Sequence, residues 1–289
     1  MDIALRARGL ARVPVALWRV WGTRRAARAA PARILMFHGT PRTEAVALER
    51  QLRYLARRFE VVGLEGIAGG RRGALALTFD DGLRSNVEVA YPILRRLGLP
   101  ATFFVCPALI DERRWLWNHE ARARLRSLGA GAADIDRLIE QMKRLDLATR
   151  RVVERRIEED TPGYRPSDEE REAFDLASWE ELRRLDPTLV TIGSHTLSHP
   201  ILSSLTPAQA EEEICGSREL LEKRLGRRAE LFCYPNGEIN ETALRLARRA
   251  YRLAVTGAQE DVRPGSDPLR LPRLAAPQGL LRLAWQLHP

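Results

Sequence analysis

Short, unbroken apolar runs recur along the chain and alternate with stretches of helical period. The runs cover residues 33–38, 59–62, 74–79, 101–105, 189–193, 229–234 and 252–256. Continuous apolar runs of this length predict strands covered on both faces. Helical patterns over 49–58, 87–97, 207–225 and 241–250 separate them, and Gly98 and Gly226 end two of these. Alternation of this kind predicts a mainly parallel sheet, and seven or eight strands over about 250 residues favour a barrel. A charged, helical stretch of about 111–186 lacks a clear strand. It reads as an insertion, with Thr161-Pro162-Gly163 as a break within it.

Polar residues gather where the apolar runs stop. In parallel α/β folds the carboxyl ends of the strands build the site. Here those ends deliver His38, Asp80-Asp81, His195 and the loop Tyr234-Pro235-Asn236. Two adjacent carboxylates in an apolar setting repel, which would force one to protonate. A divalent cation on one of them removes that conflict and leaves the other ionised, able to act as a base. Gly82 lets the chain turn sharply there. An Asp-Asp-Gly turn without function is the plain alternative. His195 and His199 are four apart, so one helix-like turn puts both imidazoles on one side, and Pro200 ends that turn. Asp81, His195 and His199 would leave positions open for water and substrate, the pattern of a catalytic rather than a structural zinc site. Trp115, Trp117 and Trp179 suit core packing or stacking on sugar rings.

Charge narrows the partners. The chain has 47 Lys+Arg against 38 Asp+Glu, a formal net of +9. Eight arginines against Asp2 give residues 1–33 a net of +7, while 39 cations and 37 anions leave the other 256 residues at +2. The body of the chain is therefore nearly neutral, which argues against nucleic acid as a partner. In the lead-in, Leu17, Trp18 and Trp21 share one face and arginines take the rest. That pattern reads as a helix docked on the domain, or as an in-plane helix on an anionic membrane through residues 1–30. No apolar run reaches the roughly 18 residues of a membrane span, and 13–21 is too short and charged for a secretory signal. The expected location is the cytoplasm or the inner membrane face. Cys106, Cys215 and Cys233 form no CxxC pair, which argues against a disulfide scaffold and a cysteine zinc site.

The Asp80-Asp81-Gly82 and His195-x₃-His199-Pro200 motifs together resemble those of the polysaccharide deacetylase family, carbohydrate esterases with a NodB-type domain. The resemblance runs from about residue 33 to 275, outside the insertion. It implies a distorted (β/α)7 barrel over 33–289 with a helical insertion, behind a basic amphipathic segment 1–32. Asp80 would be the catalytic base, taking a proton from water activated by the metal. Asp81, His195 and His199 would hold that metal, Zn²⁺ ahead of Co²⁺, Mn²⁺ or Ni²⁺. Phe232-Cys233-Tyr234-Pro235-Asn236-Gly237 resembles the family's oxyanion-side loop. The implied activity is removal of N-acetyl groups from a poly- or oligosaccharide: a cell-surface, exopolysaccharide or lipid-linked glycan. An O-acetyl esterase and a silent carbohydrate-binding member are the alternatives.

Three departures from the family pattern stand out. Cys233 occupies the place where many relatives carry an Arg that holds the catalytic Asp. Arg273, in Leu271-Pro272-Arg273, resembles the substitute used by a subgroup, since its charge is fixed and its fork suits a carboxylate; one more surface arginine is the alternative. The family's Asp near a Trp and its leucine-flanked acid His have no clear match. His38 resembles the early His of a subgroup and is taken, ahead of His288, as the extra polar contact or acid. His119 reads as packing or a substrate-side contact.

Overall fold

Parity along the strands decides which residues reach the site. The computed structural model describes residues 30–287. The N-terminal lead-in through residue 29 and His288 lie outside the described residues, and the expected membrane-facing helix lies there with them. The strands are β1 (Arg33–Phe37), β2 (Glu60–Val61), β3 (Ala74–Phe79), β4 (Ala101–Val105), β5 (Val190–Ser194), β6 (Leu231–Cys233), β7 (Leu253–Val255) and β8 (Leu274–Ala275). They pair in the order β7-β6-β5-β4-β3-β1-β8, with β2 set against β3. Every pairing between them is parallel. Leu271 adds a parallel bridge to Val255 of β7, while Leu274 and Ala275 pair with β1. The segment 271–275 thus spans the gap between the two ends of the sheet. The result is the distorted parallel barrel expected from the alternation, with helices around it.

Successive side chains on β3 go to different cores, as the period of a strand requires. Ala74 and Ala76 pack with Ile34, Phe104, Cys233 and Val255 in the barrel interior. Leu75, Leu77 and Phe79 pack with Leu52, Leu55 and Leu94 of the surrounding helices. Gly193 on β5 makes room for the interior Phe104: a Cβ there would stand 2.5 Å from its ring.

The described helices follow the pattern, with a π-turn inside two of them, the first at Asn86–Ala90 ahead of Tyr91–Leu97. Ala45–Arg58 and Glu241–Ala250 are continuous, and Gly98 and Gly226 close their helices in left-handed backbone, φ 63° and 67°. The expected helix 207–225 is present as Pro207–Glu211 and Ser217–Leu225 joined through a π-turn at Glu212–Gly216, with right-handed helical backbone at both joins. Between β4 and β5 stand six helices, from Pro107–Glu112 to Trp179–Arg183. They carry a core of their own around Trp117, Ile135, Ile139 and Met142. Leu176 returns to the barrel by an antiparallel bridge to Leu83. No described helix is long and apolar enough to cross a membrane.

Candidate active site

Asp80 continues the interior-facing parity of Ala74, Ala76 and Thr78, so its carboxylate points into the barrel mouth. Arg273 meets it there from the closing segment. Nη1 donates to Asp80 Oδ1 at 2.7 Å and Nη2 to Oδ2 at 2.8 Å. The same guanidinium donates to Thr256 O at 2.9 Å, Thr78 Oγ1 at 3.0 Å and Cys233 Sγ at 3.1 Å. Arg273 is 1% exposed and Asp80 2%, so this is a buried bidentate pair and not a surface arginine. Burial opposes ionisation of Asp80. The charge and hydrogen bonds of Arg273 outweigh it, helped by His195 and His38, and hold the carboxyl far below its ordinary range. Burial pushes the Cys233 thiol up, so it stays protonated beside the pair.

Asp81 leaves the strand register because its backbone turns left-handed, φ 72°. Its Oδ1 lies 3.6 Å from Nε2 of both His195 and His199. One donor atom from each of the three lies within 4.8 Å of the others, and all three residues are buried. His195 Nδ1 donates to Cys233 O at 2.8 Å, which fixes the proton on Nδ1 and leaves the Nε2 lone pair free. Burial, and then His195 beside it, brings His199 down to about 3, so its ring is neutral at pH 7. Burial opposes the charge of Asp81, yet its carboxyl lies below its ordinary value, with His38 the largest of the influences that lower it. One carboxylate and two neutral imidazoles with converging donors fit a divalent metal, and zinc chemistry in particular. Asp80, His195 and Cys233 also cluster, but Arg273 already supplies the cation there and the His195 nitrogen facing Cys233 carries a proton.

A family model described as polysaccharide deacetylase matches residues 68–253, which include Asp80, Asp81, His195, His199 and Cys233. The chain belongs to the polysaccharide deacetylase family. Among curated deacetylase-like relatives, Bacillus subtilis YxkH, whose name carries a provisional deacetylase assignment, is 22% identical over 181 residues. That alignment covers 62% of this chain and 43% of YxkH, so the chain spans less than half of that relative. A Streptomyces coelicolor protein without an assigned role is 40% identical over 70 residues, 24% of this chain and 28% of its own. The fold matches Streptococcus pyogenes deacetylase PplD, solved in complex with acetate. The TM-score is 0.62 at 18% identity, over 90% of this chain and 99% of that one. IcaB from Ammonifex degensii matches with TM-score 0.60 at 19% identity, over 91% and 99% of the two chains.

The remaining site residues of this deacetylase-family barrel fall into place around the pair and the triad. His38 is exposed at the end of β1. It lines a cleft of about 270 Å³ with Asp81, His119 and Phe174. His119 approaches Asp81 Oδ2 at 4.0 Å and stacks on Phe174 at 4.7 Å between ring centres. It therefore stands at the mouth; its signal in the sequence was that it is one of only five histidines. Tyr234 takes the outward parity of β6. Its hydroxyl donates to Leu269 O at 3.0 Å and its N–H to Val255 O at 3.2 Å. Pro235 has no N–H, so the amide this loop can offer an anion is that of Asn236, held left-handed at φ 54°. The tryptophans are bonded into the scaffold: Trp115 to Asp175, Trp179 to Asp111, and Trp117 to the carbonyl of His199. The last contact ties the insertion to the His loop.

Proposed function

We propose that the chain is a metal-dependent deacetylase that hydrolyses N-acetyl groups of a poly- or oligosaccharide. The observation that carries the reading is a buried Asp80 clamped by Arg273 next to the convergent donors of Asp81, His195 and His199. A divalent cation, Zn²⁺ first among candidates, would supply Lewis acidity to the amide carbonyl and acidify the attacking water. Asp80 accepts the proton of that water, and Arg273 keeps its carboxylate aimed and charged until it does. The Asn236 N–H donates to the oxygen on which charge develops. His38, in the cleft beside Asp81, is the polar side chain placed to meet the leaving amine. Products are acetate and a free amino sugar; the acetate held by PplD is consistent with such a site.

Acetate release tests the reading. N-acetylated oligosaccharides, lipid-linked N-acetyl saccharides and O-acetylated xylan are offered with and without chelator. Chelator-sensitive release from an N-acetylated glycan is expected. Release from xylan alone would move the activity to ester hydrolysis, and metal binding without any release would favour a silent carbohydrate binder.

Peripheral association of the basic lead-in with an anionic membrane surface is part of the proposal, and the net charge concentrated in residues 1–33 supports it. Removing residues 1–30 should shift the protein from the membrane fraction to the soluble one. Unchanged fractionation would remove that part of the proposal.

A further inference from the structure

The His loop is held in a conformation that its sequence does not favour. Thr196 and His199 are both left-handed, φ 66° and 59°, and each costs about 1–2 kcal/mol for a residue with a Cβ. His199 can face Asp81 only while the surroundings sustain that backbone.

Contacts on two sides do so. The π-turn Glu212–Gly216 lies within the helix begun at Pro207 and carries Glu213, which packs against the loop. The Glu213 carboxylate accepts from Ser198 N at 2.9 Å and from Ser198 Oγ at 2.5 Å. Its main-chain carbonyl accepts from Leu197 N at 3.2 Å. From the insertion, Trp117 donates Nε1 to His199 O at 3.2 Å, and the Arg150 guanidinium covers its ring at 4.6 Å. Both residues are buried, so these bonds are shielded from water. The π-turn thus falls where Glu213 meets the His loop, and single π-turns inside α-helices are frequent at functional sites.

We infer that Glu213 and Trp117 are positioning residues that clamp residues 196–199 from two separate elements and set where His199 Nε2 stands relative to Asp81 and His195. The inference rests on the metal-site reading above. Neither residue offers a ligand atom; each acts through the backbone that carries one. Partners of this kind typically change metal affinity about 10- to 100-fold when removed. Gln can replace Glu at 213, because its carbonyl can accept from Ser198 N–H while its amide donates to Ser198 Oγ.

Co²⁺ titration of the full chain, followed by visible absorption, tests the clamp through affinity and ligand-field spectrum together. Glu213→Ala should weaken Co²⁺ binding by about 10- to 100-fold and alter the spectrum. Trp117→Phe, which keeps the ring and deletes the donor, should fall toward the lower end of that range. Glu213→Gln should restore both readouts. Wild-type affinity and spectrum in Glu213→Ala would overturn the clamp. If that variant does not fold, unchanged binding in both Ser198→Ala and Trp117→Phe overturns it instead. A wild-type chain that binds Co²⁺ but releases no acetate would sink the deacetylase reading and leave the clamp standing.

Discussion

Arg273 grips both oxygens of Asp80, at 2.7 and 2.8 Å, from a position 193 residues further along the chain. The bond joins the end of β3 to the segment that closes the barrel, so the Asp80 carboxylate and the closure of the fold share one contact. Deleting one partner of a buried pair leaves an uncompensated charge, at a cost of about 3–5 kcal/mol. Arg273→Met should lose that much stability in urea denaturation. A loss below about 1 kcal/mol, the level of an exposed pair, would contradict the burial of this contact.

Asp80→Asn keeps the shape of the side chain and removes its basicity. Metal content should stay near that of the wild type, because the donors of Asp81, His195 and His199 are untouched. Turnover should fall by about 10²- to 10⁴-fold, the contribution of a positioned base. Full activity on a glycan that the wild type deacetylates would take the base role away from Asp80.

His199→Ala removes one of three ligands and should empty the site at metal concentrations that saturate the wild type, read by elemental analysis after dialysis. Chelated wild-type protein should regain activity on adding Zn²⁺ or Co²⁺, while the variant should not. Equal metal content in the two proteins would show that the ion sits elsewhere.

The fold was most legible where the run was long and both ends were marked. A six-residue run, apolar but for Thr78, before Asp80-Asp81-Gly82 marked β3 to the residue, and Pro100 opened β4 equally sharply. The two-residue β8 follows Pro272 and leaves no apolar run to read, so the strand that closes the barrel was invisible as a strand. Periodicity also could not reveal the π-turn at Glu212–Gly216, since a single widened turn leaves the chain helical and barely changes the pattern of apolar positions. At the site, Asp80, Asp81, His195 and His199 were legible from strand-end position and spacing. The pairing of Arg273 with Asp80 needed the family resemblance, because nothing local distinguishes Arg273 from the other arginines. The direction of the Tyr234 side chain follows from period: adjacent to Cys233, it takes the opposite face, and there its hydroxyl bonds Leu269 O.

Gly193 tests the interior packing that carries the site. An added Cβ would meet two Phe104 ring atoms at 2.5 and 2.6 Å and Leu231 O at 3.0 Å. Neither the strand backbone nor a fully buried ring can yield cheaply. Gly193→Ala should cost about 1–3 kcal/mol, the usual range for overpacking. Stability equal to the wild type in thermal unfolding would mean that the ring has room to move that the packing does not suggest.

Asn236 separates backbone conformation from side-chain chemistry at the oxyanion position. Its φ of 54° is a region that Gly takes freely, Asn tolerates and β-branched residues resist. If the loop contributes its amide N–H and not the Asn side chain, Asn236→Gly should keep turnover within a few-fold of the wild type. Asn236→Val should force the loop out of the left-handed region and re-aim that N–H. Loss of one oxyanion donor costs about 10²- to 10³-fold in kcat elsewhere, and a loss approaching that is expected for Val with metal content unchanged. Equal activity in the Gly and Val variants would remove the Asn236 amide from the mechanism, whereas a large loss in Gly alone would assign the role to the side-chain amide.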